Sequence, residues 1–358
     1  MKTIAEKAGV SVMTVSRALR NDPEVNKETQ GRILLLAKQL GYKKHPYISA
    51  LMSQRGSRRK TKASPVIALV HCLPFERELT HNMKVFQASA HEAAEEQSFE
   101  LEEFYLHEPG MTLRRLVDIL KTRNIRGVVF EHFFTWGNRL NADFSSLACV
   151  AIGSTIAEPS FHRVDSDFHN EMRIAMSKIY EYGYRRPCLV NMEGSEQHNH
   201  YRRRSAFMYG QLMFAEEDRI PIPMGIHRRV DLKAVIDKWL QKYQPDILLS
   251  MQPDVLHFLE EFGLKVPDDI GFVHVGLGPA LKGFAGINPN WRQKAITAVN
   301  HVVDSLNRND FGIPENPICM SVEHIWIDGP SMVKRSVKSH NGLIDTEYLA
   351  SRDSWKEF

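Results

Sequence analysis

Seven consecutive residues, Ser11-Val12-Met13-Thr14-Val15-Ser16-Arg17, hold the most distinctive chemistry in the chain. Wound as a helix, Val15 turns to one side with Ala18 and Leu19, while Val12, Met13, Thr14, Ser16 and Arg17 face the other. That outer face offers hydroxyls for phosphate oxygens, apolar atoms for thymine methyls and one guanidinium that can pair with guanine. Ser11 stands at the N-cap, where its oxygen can take up a free amide of the first turn. Positioning such a face requires a partner helix, and Ile4, Ala5 and Ala8 fall on one side of the preceding segment. Gly9 supplies the backbone freedom of a sharp turn, and Val10 can plug the corner. A third helix is expected from about Asn26, with Ile33, Leu34, Leu35 and Leu40 as its core side. The pattern is a helix-turn-helix, a DNA-reading unit.

Charge supports this reading independently. Residues 1–64 contain 14 Lys and Arg against 4 Asp and Glu, a net of +10, whereas the remainder carries a net of −7. The whole-chain value of +3 hides a basic head on an acidic body, as suits a phosphate-binding module joined to a domain that avoids nucleic acid.

With Gly9-Val10-Ser11, Thr14-Val15-Ser16-Arg17 and Gly41-Tyr42 in register, the head resembles the lactose-repressor family of bacterial transcription regulators. The resemblance continues into Pro46-Tyr47-Ile48-Ser49-Ala50-Leu51, similar to the family's hinge helix. It implies that Val12 and Met13 read bases, that Arg17 touches a base or phosphate, and that Leu51 wedges into the minor groove. Such a wedge unstacks a base step and is offset by the bend that brings more protein onto DNA. Pro46 suits a first helical position, and a helix of about two turns is unstable alone in water, so it should form only on operator DNA. The full DNA-contacting set expected is Thr3, Ser11, Val12, Met13, Thr14, Ser16, Arg17, Asn21, Tyr42, Ser49 and Leu51. Family members carry a few more residues before the position of Thr3, so either Thr3 caps the first helix itself or the true start lies upstream.

Beyond a flexible basic linker, apolar runs at 66–70, 128–130, 150–152, 189–190, 247–249 and 270–273 read as strands buried on both faces. Helical stretches separate them at 85–97, 113–123, 172–182, 201–215, 232–243 and 295–307. Alternation of this kind implies parallel sheets covered by helices. The expected organisation is an all-α head at 1–45, a hinge and linker at 46–64, a two-lobed α/β effector-binding and dimerisation body at 65–331, and an extension at 332–358. The body resembles the family's effector-binding core, which implies two Rossmann-like lobes of the periplasmic-binding-protein type. Gly183-Tyr184-Arg185-Arg186, residues 263–270 and Arg203-Arg204-Ser205-Ala206-Phe207 carry this likeness.

Ligands in such folds sit at the C-terminal ends of the strands. By resemblance Arg203 holds effector hydroxyls or a carboxylate, and its fork of donors suits either. Gly276-Leu277-Gly278 stands where the family has an Asp-Asp pair, and Phe168 replaces the Asn that follows the family's aspartate, here Asp167. The pocket has been rebuilt. Polar residues at strand ends that could replace the lost acceptor are His71, Glu131, Asp167, Gln252, Asp254 and His274, with Trp291 beside them; together with Arg203 they form the expected effector site.

No nucleophile elbow, phosphate-binding loop, His-Glu-x-x-His helix or Cys-x-x-Cys is present, so no catalytic residue, metal or cofactor is expected. His198-Asn199-His200 lacks the carboxylate context of a nuclease motif and reads as a polar loop. Cys72, Cys149, Cys188 and Cys319 are widely spaced, and reduced core thiols in a cytoplasmic protein are expected. No secretory signal or membrane span is expected either. Residues 343–358 lack a sustained leucine heptad, which leaves a homodimer as the expected assembly. The resemblance implies a repressor that binds a pseudo-palindromic operator and answers a small-molecule effector, with carbohydrate-related molecules among the candidates. Two other readings stay open: a receptor or enzyme body with a non-regulatory head, and a ligand-independent DNA-binding protein.

Overall fold

The structure, a computed structural model, describes residues 2–18, 25–39, 65–74, 79–133, 135–276 and 283–335. The head comprises α1 (Lys2–Ala8), α2 (Val12–Ala18) and α3 (Lys27–Gln39). Ile4, Ala5, Ala8, Val15, Ala18, Val25, Ile33 and Ala37 form its core, and Val10 packs against them at the corner. Gly9 has φ +64°, the left-handed backbone the tight turn needs. The expectation for α3 is corrected in part. Ile33 is buried, but Leu34 and Leu35 are exposed, and Ala37 and part of Leu36 complete the inner face. At about 100° per residue, three consecutive positions cannot share one face. Leu19 and Leu40 lie outside the described residues.

The first lobe is a six-stranded parallel sheet in the order β12-β7-β5-β3-β1-β2. Its strands are β1 (Val66–His71), β2 (Glu100–Tyr105), β3 (Gly127–Phe130), β5 (Ala148–Ile152), β7 (His162–Ser166) and β12 (Cys319–Val322). A two-stranded ribbon, β4 (Asn138–Arg139) with β6 (Ile156–Glu158), lies apart. One sheet face buries Val70 and Phe130 against Leu116 and Leu120 of α5 (Leu113–Thr122). The other buries Ile67, Leu69 and Val129 against α4 (His81–Glu96) and α11 (Trp291–Arg308).

In the second lobe the order is β13-β11-β10-β9-β8, with β13 alone antiparallel. Here the strands are β8 (Pro187–Leu189), β9 (Ile247–Ser250), β10 (Gly271–Val275), β11 (Ala285–Asn288) and β13 (Ile325–Ile327). Its faces are covered by α6 (Phe168–Glu181) and α8 (Arg202–Gly210) on one side, and by α9 (Arg229–Tyr243) and α10 (Asp254–Glu261) on the other. A short helix, α7 (Glu193–Gln197), follows β8. The chain passes between lobes three times: from β7 into α6, from β11 into α11, and from β12 to β13. Polar groups near these crossings are the ones that can sense how the lobes sit.

Each apolar run expected to be a strand lies in a sheet, and the helices fall where the alternation puts them. The stretch 201–215 is shorter than expected, ending as an α-helix at Gly210 and tightening into a single 3₁₀ turn, Gln211–Met213. Gln211 there donates to the Ile220 carbonyl at 2.7 Å, which ties the turn to the following loop. Cys72, Cys149 and Cys188 are buried, but Cys319 is exposed because β12 is an edge strand whose residues alternate toward solvent.

Candidate functional site

The head presents its candidate DNA surface as the amphipathic pattern of α2 requires. Ser11 Oγ accepts the Thr14 amide at 3.0 Å and lies 2.9 Å from the Thr14 hydroxyl, so the cap and a candidate phosphate ligand are one unit. Val12 and Met13 are 42% and 64% exposed while Val15 is fully buried, an arrangement that leaves apolar atoms in solvent on the outer face. Arg32 of α3 donates to the Ala8 carbonyl at 3.0 Å and closes the C-terminal end of α1. Because Ser11 holds the first turn of α2, Ser11→Ala is expected to destabilise the head by about 1 kcal/mol, read as a lower midpoint in thermal denaturation of the head's circular dichroism. An unchanged midpoint would remove the cap from the account. Asn21, Tyr42, Ser49 and Leu51, and the side chains of Thr3 and Ser16, lie outside the described residues.

In the body, Arg203, His274 and Trp291 come to the junction of the lobes. Arg203 is buried on α8, and its guanidinium donates to Glu171 Oε2 at 3.2 Å and to Met251 Sδ at 3.1 Å, with Glu196 Oε1 at 3.8 Å. Glu171 is fully buried in the first turn of α6, and burial raises its pKa although Arg203 pulls it down. Lys294, on the first turns of α11, donates to Ser166 Oγ at 2.5 Å and sits 4.2 Å over the Trp291 ring. Burial lowers the Lys294 pKa to about 8 against the attraction of Asp165 and Glu171. Burial also lowers His274 to about 4 and His324 to about 3, so both imidazoles are neutral at pH 7. The Phe168 ring meets two guanidinium groups, 4.8 Å from Arg202 and 4.9 Å from Arg203.

Several buried atoms here meet no hydrogen-bond partner among the described residues: Glu171 Oε1, Glu196 Oε2, Trp291 Nε1 and both nitrogens of His274. Groups so placed are costly in a closed protein, and they are where water or a polar ligand gains most. Of these residues Trp291 lines a cavity of about 200 Å³, together with Leu73, Thr80, Asn82, His132 and His198.

The other expected effector residues have partners within the protein. His71 Nδ1 is 2.8 Å from Glu131 and its Nε2 3.0 Å from Glu103, so the buried His71 and Glu131 partner each other at the ends of β1 and β3. Asp167 N-caps α6 through the Asn170 amide at 2.9 Å. Gln252 binds the Met192 amide and the Ser195 hydroxyl. Asp254, at the start of α10, pairs with exposed Arg229. Gly276 turns the chain at φ +111°, and Leu277 and Gly278 lie outside the described residues. Glu171, Glu196 and Lys294 escaped the sequence reading, although the spacing of Glu171 and Lys294 held a signal. Glu171 follows Asp167 by four and Lys294 follows Trp291 by three, each on one helical face with a residue already singled out.

Among the described residues no helix is long and apolar enough to cross a membrane, and no three His, Cys, Asp or Glu side chains converge as a metal site would require. Residues 1–45 match the family model described as bacterial regulatory proteins, lacI family. The HTH-type transcriptional repressor CytR of Escherichia coli (strain K12) is 26% identical over 307 residues, covering 77% of this chain and 80% of the relative. Among solved structures, the transcriptional regulator CelR in complex with cellobiose aligns with a TM-score of 0.54 at 17% identity, over 92% of this chain and 98% of its own. The lac repressor dimer bound to operator and the anti-inducer ONPF aligns with a TM-score of 0.54 at 13% identity, with the same coverage. Residues 1–45 are thus similar to the DNA-binding head of the lacI family of bacterial regulatory proteins, and the chain as a whole shares the fold of these two solved regulators.

Proposed function

We propose that the protein is a sequence-specific transcriptional regulator, a repressor that binds a pseudo-palindromic operator as a homodimer and responds to a small polar effector between its lobes. The observation that carries this reading is α2, where Ser11 is tied to Thr14 and the apolar Val12 and Met13 are exposed beside a sealed core. Apolar side chains held in solvent by a capped helix on a strongly basic head suit base edges in a major groove. Two heads would enter successive grooves while paired hinges, with Leu51 at their ends, open the central step. An effector would change operator affinity by binding the DNA-competent and free lobe geometries unequally. On this reading the body is a receptor, the chain is not an enzyme, and it works in the cytoplasm.

The test is selection of genomic fragments by the purified full chain against bulk competitor at near-physiological salt, followed by footprinting. A protected palindrome is expected. Uniform binding of all fragments would leave only a non-specific basic head. Arg17→Ala should then weaken binding to the selected site by about 1–3 kcal/mol with little change on random DNA. Equal losses on both would make Arg17 a phosphate contact.

A further inference from the structure

The corner joining α7 to α8 carries two consecutive non-glycine residues in the left-handed region, His200 at φ +54° and Tyr201 at φ +59°. Such backbone persists only where its surroundings hold it. Buried Asn199 does so: its amide donates to the Ser195 carbonyl at 3.1 Å and its oxygen accepts the Arg203 amide at 3.3 Å. The Tyr201 amide adds a bond to the Glu196 carbonyl at 2.9 Å. This fixed corner carries His200 and Arg202 of the second lobe onto the first. His200 Nε2 lies 3.2 Å from the Ser154 carbonyl oxygen, and the Trp136 ring meets the His200 ring edge-on. Arg202 Nη2 donates to Asp165 Oδ2 at 2.6 Å and to Ser154 Oγ at 3.0 Å, while the Ser154 hydroxyl donates to the same carboxylate at 2.5 Å. The guanidinium is steadied from behind by Nε on the Asn199 carbonyl at 2.8 Å.

We propose that the 198–202 corner is a clasp that holds the two lobes together without a ligand, with Arg202 as its closing group. Its regulatory meaning rests on the effector reading above: a molecule entering the adjoining cavity, which His198 lines from the same corner, shifts the lobes by releasing the clasp. Two features give the clasp its strength. The bonds are charge-assisted, and Asp165 is only 6% exposed, so salt screens the pair poorly. The three chain crossings also join the lobes, and connections of that kind permit hinge motion. The polar tripeptide His198-Asn199-His200 acquires a structural role, with its outer residues at the cleft and its middle residue setting the turn.

The test is small-angle X-ray scattering with amide hydrogen exchange on the full chain. It compares the wild type with Arg202→Gln, Arg202→Lys and the control Arg228→Gln, which removes a surface ion pair inside the second lobe. The Arg202 side chain is 39% exposed, so these variants should fold. Arg202→Gln is expected to show a larger radius of gyration and faster exchange in peptides spanning 150–156 and 198–204, with Arg202→Lys nearer the wild type and Arg228→Gln unchanged. Equal scattering and exchange in the wild type and Arg202→Gln would overturn the clasp, as would the same expansion in Arg228→Gln. An Arg202→Lys variant as open as Arg202→Gln would overturn its charged basis. A head that selects no genomic fragment would defeat the regulator reading and leave this result unchanged.

Discussion

Arg203→Ala should lower the free energy of unfolding of the body by about 3–5 kcal/mol at pH 7, measured by urea denaturation, because it strands buried carboxylates without their counter-charge. Glu171 and Glu196 are both fully buried and both lean on this one guanidinium, at 3.2 and 3.8 Å. The sign of the pH dependence follows from Glu171. Burial raises its folded pKa above the ordinary carboxylate value, so between those two values the folded state binds more protons than the unfolded state. Stability from this group is therefore present below the ordinary value and lost as pH rises through the folded pKa. Removing Arg203 takes away the attraction that limits the shift, so the deficit of the variant should shrink on acidification. A loss under about 1 kcal/mol, or a deficit that grows as pH falls, would show that the carboxylates do not depend on Arg203. Loss of a ligand response in this variant cannot by itself make Arg203 a ligand contact. Its first partners are the protein's own acids.

Lys294→Met is expected to act in the opposite direction. A buried ammonium whose pKa falls from 10.5 to about 8 disfavours the fold below pH 8, by about 3 kcal/mol on the linkage relation. For a base with a depressed folded pKa, the stability gained is fully present above pH 10.5 and lost as pH falls through 8. Wild-type stability should accordingly rise between pH 8 and 10.5 relative to Lys294→Met, and the variant should be the more stable of the two at pH 7. The measurement is denaturant unfolding of both proteins across pH 7–10.5. Parallel curves would mean that Asp165, Glu171 and Ser166 satisfy the ammonium fully, and that its burial carries no net cost.

How far the molecule could be read from its letters depended on the range of the interactions involved. The head was legible because its determinants are local. Gly9, the Ser11 cap and the Val15 and Ala18 spacing act within a few residues of one another, and all take their expected places. In the body, continuous apolar runs such as Val128-Val129-Phe130 could only be strands covered on both sides. β2 went unread, since Glu100, Glu102 and Glu103 break any apolar pattern and an edge strand tolerates charge. His71 shows the limit at the site. Its place at the end of β1 suggested a ligand contact, but β2 and β3 on either side supply Glu103 and Glu131 as partners, and no local pattern announces that pairing.

The order of residues alone was enough to set which segments coil, which extend, where the charge collects and which helix keeps an apolar face in solvent, because propensity, capping and periodicity act between near neighbours. Tertiary structure decided which charges are buried together. Glu171, Glu196, Arg203 and Lys294 come from four helices spread over 124 positions, and only the folded chain brings them into one buried junction. A side chain's ionisation and partners follow from the dielectric and the charges around it, and those are properties of the folded space rather than of the chain.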